Sequence, residues 1–478
     1  MIENNLKQKT KSSLYWSLFN QFANQGMQFA IGIVLARLLS PDDYGVTALP
    51  IVFISIATLF VDCGFGNALV RKEKLREEDL STAFYYSLIV GVVCYSALYF
   101  SSPWIAEFYN VAILENVMHV TALTFLLSPL STPQTVILQR KLDFKTPTKI
   151  AIAVKFISGI IGIIMAFSGY GVWALVWSQV ISNFLSVLLN WWVVRWVPRT
   201  GWSKESFRYL WGYGNKLMLS GLLDKIYQNI APIFIGKYFS VGDLGYFNRA
   251  DGYAKLPSHN ITSSIRGVTF PVLSKLQHDD EALRQKYRKM IRVSAFVIFP
   301  IMFMLSALAR PLIYVTITDK WEPCVLLLQL LCFSSMWYPI HALNLNLLQV
   351  KGRSDLFLRL EFIKKIISLG MMAISLPFGL IVFCAMTVLT SLFSLVVNTY
   401  YTGKLIDVGF FLQMKDLFPT IMLSCFMFIV VQAFLLFVSN IYIQCICGGI
   451  IGLGIFIGGG ILFKFPELED VKFMLSRK

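Results

Sequence analysis

"ARLLSPDDYG" at 36–45 and "GKYFSVGDLG" at 236–245 are two versions of one phrase. Arg37 answers Lys237, Ser40 answers Ser240, Asp43 answers Asp243 and Gly45 answers Gly245, each at an offset of 200. More pairs follow at a drifting offset. Pro103 and Ile105 match Pro311 and Ile313, "LQRK" from Leu138 matches "LQVK" from Leu348, and "KFIS" from Lys155 matches "KIIS" from Lys365. One short turn of this kind recurs by chance. Four ordered matches, each half closing on a long uncharged run, point to one unit written twice.

Composition identifies the solvent around that unit. Hydrophobic residues make up 56% of the 478 and charged residues only 14%, against about 25% charge in soluble domains. Residues 156–194, 366–403, 421–440 and 441–463 contain no Asp, Glu, Lys or Arg, whereas about 20 such residues suffice to span a bilayer. Lipid offers backbone groups no partner, so each run is helical, and a run near forty residues is two helices with a reversal between them. The reversals read as 168–171 (Ser-Gly-Tyr-Gly) and 377–379 (Pro-Phe-Gly). The alternation of a transmembrane β-strand is absent. All eight cysteines fall in or at the edge of the fourteen spans predicted below, as small apolar packing residues do. The start of the chain shows no signal-peptide cleavage pattern, since its apolar stretch continues past Leu39.

The pattern predicts an all-α polytopic membrane protein of fourteen transmembrane helices: 13–39, 44–70, 79–102, 114–138, 147–168, 171–195, 207–238, 243–274, 288–312, 322–350, 355–376, 380–403, 417–438 and 441–463. Basic residues cluster after the second, fourth, sixth and eighth helices, while the alternate connections 103–113, 168–171, 376–380 and 438–441 are nearly free of Lys and Arg. That bias places both termini in the cytoplasm. It also accounts for much of the net charge of +15, so nucleic acid is not needed as a partner. Trp104, Trp191, Trp192, Trp196, Trp202 and Trp321 sit near span ends, where an interfacial belt belongs. Because six is even, the two six-helix copies enter from the same side, a parallel pseudo-twofold repeat about the membrane normal. The expected organisation is an N-terminal lobe 1–197, a cytoplasmic linker 198–206, a C-terminal lobe 207–404, and a final helix pair with a tail, 405–478.

"LARLLSPDDYGVTALPIVF", "FVDCGFGNALVRKEKLREEDLSTAFYYSLIVG" and "LGYFNRADGYAKLPSHNITSSIRGVTFPVLSKLQ" resemble the Wzx-type polysaccharide flippases. The branch is that of the colanic and teichuronic acid exporters, within the multidrug/oligosaccharidyl-lipid/polysaccharide exporter superfamily. The likeness covers the first twelve helices and is densest in the first, second, seventh and eighth. It implies two lobes around a central cavity, two extra C-terminal helices, and residence in the bacterial cytoplasmic membrane. The implied cargo is an oligosaccharide repeat unit on undecaprenyl pyrophosphate, turned to the outer leaflet by alternating access. Partners beyond the cargo and membrane lipid would be other proteins of polysaccharide assembly.

Intramembrane charges cost about 2.5–3.5 kcal/mol each on insertion scales and tend to line water or to pair. The basic members are Lys155, Lys225, Arg249, Lys255, Arg266, Lys364 and Lys365, against Asp62, Asp224, Asp251 and Glu361. This surplus suits a cationic lumen for a pyrophosphate and acidic sugars. Lys225 is near the middle of its helix and Arg266 well inside its own, with structural pairing or snorkelling as the alternative. Lys155 and Lys365 are repeat mates, too deep for easy snorkelling yet not central, with a structural role as the alternative. That alternative is stronger still for Arg249, near a helix end with Asp251 at hand. Asn20, Gln21, Asn24, Gln25 and Gln28 put a row of amides on the first helix, suited to sugar hydroxyls or to helix packing. Asp62, Asp224 and Asp251 are the candidates for H⁺ or Na⁺ coupling, with a packing hydrogen bond as the plainer role for Asp62. Pro50 and Pro257 are candidate kinks.

His119, His259 and His341 lack metal-ligand spacing, and no Walker loop occurs. The expectation is therefore no enzyme, no metal and no cofactor. Rival readings are a multidrug antiporter of the same superfamily, a peptidoglycan-precursor flippase, and, remotely, a membrane glycan ligase or polymerase. The external connections are too short to favour the last.

Overall fold

The computed structural model describes residues 2–470, with the side chains of 2–15, 17, 18 and 268 excepted. Twenty α-helices follow one another: α1 (Ile2–Leu38), α2 (Pro41–Asp62), α3 (Phe65–Arg71), α4 (Glu77–Tyr109), α5 (Ile113–Ala122), α6 (Thr124–Leu127), α7 (Thr132–Arg140), α8 (Lys145–Phe167), α9 (Val172–Val194), α10 (Lys204–Gln228), α11 (Ile230–Tyr238), α12 (Val241–Ser274), α13 (Asp280–Ala307), α14 (Ala309–Ile317), α15 (Cys324–Ser335), α16 (Tyr338–Val350), α17 (Ser354–Ser375), α18 (Leu380–Ile406), α19 (Phe410–Phe437) and α20 (Ile441–Leu462). No strand occurs among the described residues. Ten helical stretches among them are long and apolar enough to cross a membrane. The other four predicted spans are helical too, over α1, α10 with α11, α12, and α17. They are the ones that carry the amide row and most of the intramembrane charges, which is why apolarity alone does not select them.

Several expected helices break or extend, each for a local reason. The reversal expected from residue 103 comes at Asn110, which adopts a left-handed conformation (φ 56°) that asparagine tolerates. Pro103 is carried inside α4, whose 33 residues extend about 50 Å, well beyond the roughly 30 Å hydrocarbon core. The span expected at 114–138 is divided by a 3₁₀ turn at Ser128–Ser131, where Pro129 and Pro133 remove two amide donors. The span at 207–238 breaks at Asn229, whose amide turns back on the Lys225 carbonyl at 2.7 Å and also reaches Ser55 Oγ at 2.9 Å.

The chain forms two compact units, 1–245 and 246–478. In the first, α2 and the α10–α11 pair run antiparallel at backbone range. A β-carbon on Gly214 would collide with the Cys63 carbonyl, one on Gly236 would come within 2.5 Å of Leu49, and Gly221 lies against Leu59. The two echoed phrases meet at one end of this interface. Ser40 Oγ accepts from the Asp43 amide and Asp43 accepts from the Ser40 amide, at 3.2 and 2.9 Å. Ser240 and Asp243 repeat the same capping box at 3.0 and 3.1 Å. A β-carbon on Gly45 would strike the Val241 carbonyl, and one on Gly245 would strike the Pro41 carbonyl. The two contacts are reciprocal at the offset of 200. At the other end, Arg140 donates to the carbonyls of Leu69, Val70, Lys72 and Glu73, and Lys72 pairs at 2.6 Å with the buried Asp79. Residues 198–206 are fastened to α4 through Thr200–Ser81 and Ser203–Thr82.

In the second unit α13 is the post around which others gather. Arg288 grips Asp416 of α19 with two hydrogen bonds of 2.7 Å, Lys289 lies 2.6 Å from Asp470, and Arg292 lies 3.1 Å from Glu467. Arg288 and Lys289 belong to the basic cluster after the eighth predicted span, and with Arg292 they also bind α19 and the segment that follows α20. Buried amides of Asn344 and Gln413 satisfy each other and Thr402. Gly448 lets α20 approach Leu308, and Gly452 lets it approach Met304. Lys351 donates to the Gln277 carbonyl and pairs with Asp280. Residues 471–478 of the expected final segment lie outside the described residues.

Replacing Gly45 or Gly245 with alanine should lower the unfolding temperature in detergent, at a cost of about 1–3 kcal/mol. Gly26→Ala, with no other group within 4 Å of its added methyl, should leave it unchanged or raised. A Gly45→Ala protein as stable as the parent would mean that the two turns do not touch through their backbones.

Candidate functional site

A cavity of about 290 Å³ opens in the first unit between α1, α7, α8 and α9. Two glycines determine where it lies. A β-carbon on Gly159 would collide with Ile31 of α1, and one on Gly162 would come within 2.9 Å of Ser178 on α9. There α8 is drawn tight against both neighbours. One turn earlier the larger Lys155 and Val154 line the cavity, with Thr135 and Leu138 of α7. Ile150, Ala151, Val154, Pro147 and Leu138 give apolar wall, while Asn24, Ser182, Asn183, Ser186, Asn190 and Thr135 give polar groups.

Lys155 is the one charged side chain in this lining. It is half-buried and makes no hydrogen bond or ion pair among the described residues. The three lining amides share one habit. Asn24 donates to the Asn20 carbonyl at 2.9 Å, Asn183 to Gln179 at 2.9 Å and Asn190 to Ser186 at 2.7 Å. Each bond runs back four residues along the amide's own helix.

The other sequence-predicted residues divide by partner. Lys364 is buried and pairs with Glu361 at 2.5 Å, one turn away on α17. Lys255 pairs with Asp251 at 2.7 Å on α12, and Arg249 lies over the buried Trp321 ring, 5.6 Å from its centroid. Asp62 accepts from the Gly64 amide at 3.3 Å, ending α2. Asp224, Arg266 and Gln28 are exposed, and Lys225, Lys365, Asn20, Gln21 and Gln25 are half-buried. The histidines are structural in their contacts. His119 stacks on Tyr99, His259 stacks on Tyr338, and His341 is held between Ser391 and Asn398. No group of three metal-ligating side chains exists among the described residues.

A profile described as polysaccharide biosynthesis protein matches residues 34–326, more than half of the chain. The chain belongs to that family. A membrane protein in the cps region of Klebsiella pneumoniae is 26% identical over 491 residues, covering 99% of this chain and 98% of that protein. Teichuronic acid biosynthesis protein TuaB of Bacillus subtilis is 29% identical over 63% of this chain and 62% of that one. Lipopolysaccharide biosynthesis protein WzxC of Escherichia coli is 22% identical over 75% and 73%. Among solved structures, the lipid II flippase MurJ in an inward closed conformation superposes with a TM-score of 0.76 at 15% identity, over 94% of this chain and 98% of that one. An inward-facing multidrug resistance MATE family transporter of the MOP superfamily gives 0.60 at 15% identity, over 82% and 96%. This member of the polysaccharide biosynthesis family is thus a multi-pass membrane protein with the MurJ and MATE fold.

Within the family member's cavity, sequence reading had named only Asn24 and Lys155. The α9 face was missed, although Ser182, Ser186 and Asn190 stand at i, i+4 and i+8 on one side of a helix. A search for charges passes over 156–194 because it contains none.

In a protein freed of its native cysteines, Ser182→Cys should react with a small water-soluble thiol reagent, and Val176→Cys, whose parent residue is 1% exposed, should not. Equal reactivity at both would remove the cavity.

Proposed function

We propose that this protein is a flippase that carries undecaprenyl-pyrophosphate-linked oligosaccharide repeat units across the bacterial cytoplasmic membrane for surface polysaccharide synthesis. The observation that carries the reading is the family match over 34–326, a stretch that contains every residue of the cavity lining except Asn24. A hydrated saccharide cannot cross the hydrocarbon core unaided, and polar groups held inside a helical bundle replace the water it leaves. The names of TuaB and WzxC support a part in polysaccharide biosynthesis, and that of the succinoglycan biosynthesis transport protein ExoT of Rhizobium meliloti supports transport.

The mechanism we favour is alternating access by fourteen spans arranged as two parallel six-helix repeats and a C-terminal pair, with both termini cytoplasmic. The paired capping boxes at Ser40 and Ser240 support the repeat. So do Arg140 and Lys351, which stand in the "LQRK" and "LQVK" segments and reach carbonyls just after α3 and α12 respectively. In this scheme the lobes 1–197 and 207–404 rock about the contact of Gly45 with Gly245. Coupling to H⁺ or Na⁺ would run through Asp62, Asp224 or Asp251, and neutralising the responsible carboxylate would abolish the response to an imposed gradient.

A deletion strain should accumulate lipid-linked repeat units and lose surface polysaccharide while keeping normal drug resistance. Drug sensitivity without accumulation would favour the multidrug reading instead. At equal protein levels, Lys225→Met and Arg266→Met should cut export at least about tenfold, the scale of one lost charged hydrogen bond. Lys155→Met and Lys365→Met should each cut it less, and glutamate should be worse than methionine at all four. Arg353→Met, which removes only an ion pair with Asp355 that is exposed on both sides, should export normally. Normal export by all four methionine variants would make these charges structural.

A further inference from the structure

We propose that the cavity between α1, α7, α8 and α9 is a subsite for one sugar unit bearing a single carboxylate, and that the pyrophosphate of the carrier is bound elsewhere. This deepens the flippase reading and rests on it. Three features of the lining select the ligand.

The first is hydrogen-bond polarity. Asn24, Asn183 and Asn190 each donate from the NH₂ group to a backbone carbonyl of their own helix, and the Asn24 and Asn190 amides also reach the Asn20 and Ser186 side chains. None of their side-chain carbonyl oxygens receives a donor among the described residues. The cavity therefore offers three amide acceptors that await donors. The lining also holds donors in the Lys155 ammonium, the Ser182 and Ser186 hydroxyls and the second N–H of Asn183, so a ligand that uses all of it must both donate and accept. An ionised pyrophosphate, with acceptor oxygens only, leaves the three amide carbonyls unmet. A pyranose ring brings several hydroxyl donors, and unmet polar groups in a low-dielectric site are costly to leave unpaired.

The second is charge. Lys155 is the one cation in the lining and has no anion paired with it among the described residues. One ammonium balances one carboxylate. A pyrophosphate carries more negative charge than a single lysine can neutralise, and the lining supplies no second cation or arginine fork.

The third is size and wall. About 290 Å³ lies at the bottom of the roughly 300–1,000 Å³ range of small-ligand sites, which suits one ring rather than an oligosaccharide. Ile150 and Val154 supply an apolar surface for the C–H face of that ring.

The test uses the full-length purified protein in lipid nanodiscs, with saturation-transfer NMR to detect weak binding. The probes are methyl β-D-glucuronide, methyl β-D-glucoside and inorganic pyrophosphate. The parent protein should bind the glucuronide about tenfold more tightly than the glucoside, and pyrophosphate should not displace either sugar. Lys155→Met should bring the two sugars to equal affinity. Asn183→Asp, nearly isosteric and adding a negative charge to the same cavity, should lose the glucuronide and keep the glucoside. A folded Asn183→Asp protein that still prefers the glucuronide overturns the proposal, as does displacement of the sugars by pyrophosphate that Lys155→Met abolishes. Failure of this inference and failure of the flippase reading are separable. If deletion of the gene accumulates lipid-linked saccharide but neither sugar binds, only the subsite is wrong; if no saccharide accumulates, the reading beneath it is wrong.

Discussion

The carbonyl oxygens of Pro41 and Val241 occupy the places where β-carbons on Gly245 and Gly45 would have to stand. Much of the first unit follows from that restriction. Two helix-start turns can approach through their backbones only if neither carries a side chain at the contact, and only if their free amide groups are met from within. The Ser and Asp of each turn meet them in a closed reciprocal pair, so these side chains are engaged within their own turns. From this point α11 and α10 return along α2, with Gly236 and Gly221 receiving the side chains of Leu49 and Leu59 and Gly214 meeting the Cys63 carbonyl. Close backbone packing of this kind is how helices associate where the surrounding solvent is as apolar as their side chains.

A second rule sorts the polar residues. A charge or amide inside a helical bundle is stable when it has a partner, and a partner supplied by its own neighbours marks it as architecture. Lys364 with Glu361, Lys255 with Asp251, His341 with Ser391 and Asn398, and Arg288 with Asp416 are of that sort. Lys155 and the carbonyl ends of Asn24, Asn183 and Asn190 are of the other sort, and they line one cavity. Unmet polarity gathered in one place is a better indication of cargo than charge alone, because charge alone also describes the clamp between α13 and the C-terminal helices.

Legibility in the sequence follows the same division. The echo of Ser40, Asp43 and Gly45 at Ser240, Asp243 and Gly245 was readable because capping and close approach each demand particular residue types. Lys364 and Glu361, three residues apart, were readable in principle as a pair. The clamp of Arg288 on Asp416 was not, since 128 residues separate the partners and either one reads as an ordinary span-end charge. Ser182, Ser186 and Asn190 were hidden by scale. Their row of small polar groups is weak beside the apolar run that contains it, and only the arrangement of α1, α7 and α8 around α9 turns it into a site. Helix ends at Pro129, Pro133 and Asn229 depended on local backbone chemistry within runs whose overall apolarity suggested continuous spans.

The account stands or falls on movement of a saccharide head group through this protein. The direct measurement is reconstitution of the purified chain in liposomes with a fluorescent undecaprenyl-pyrophosphate oligosaccharide, followed by the fraction of lipid-linked saccharide that a membrane-impermeant quencher reaches with time. The account predicts that the fraction starts near half in protein-free vesicles and climbs toward completion when the protein is present, with the Lys225→Met and Arg266→Met proteins markedly slower. A protein-containing vesicle that holds its inner-leaflet saccharide as firmly as a protein-free one would contradict it.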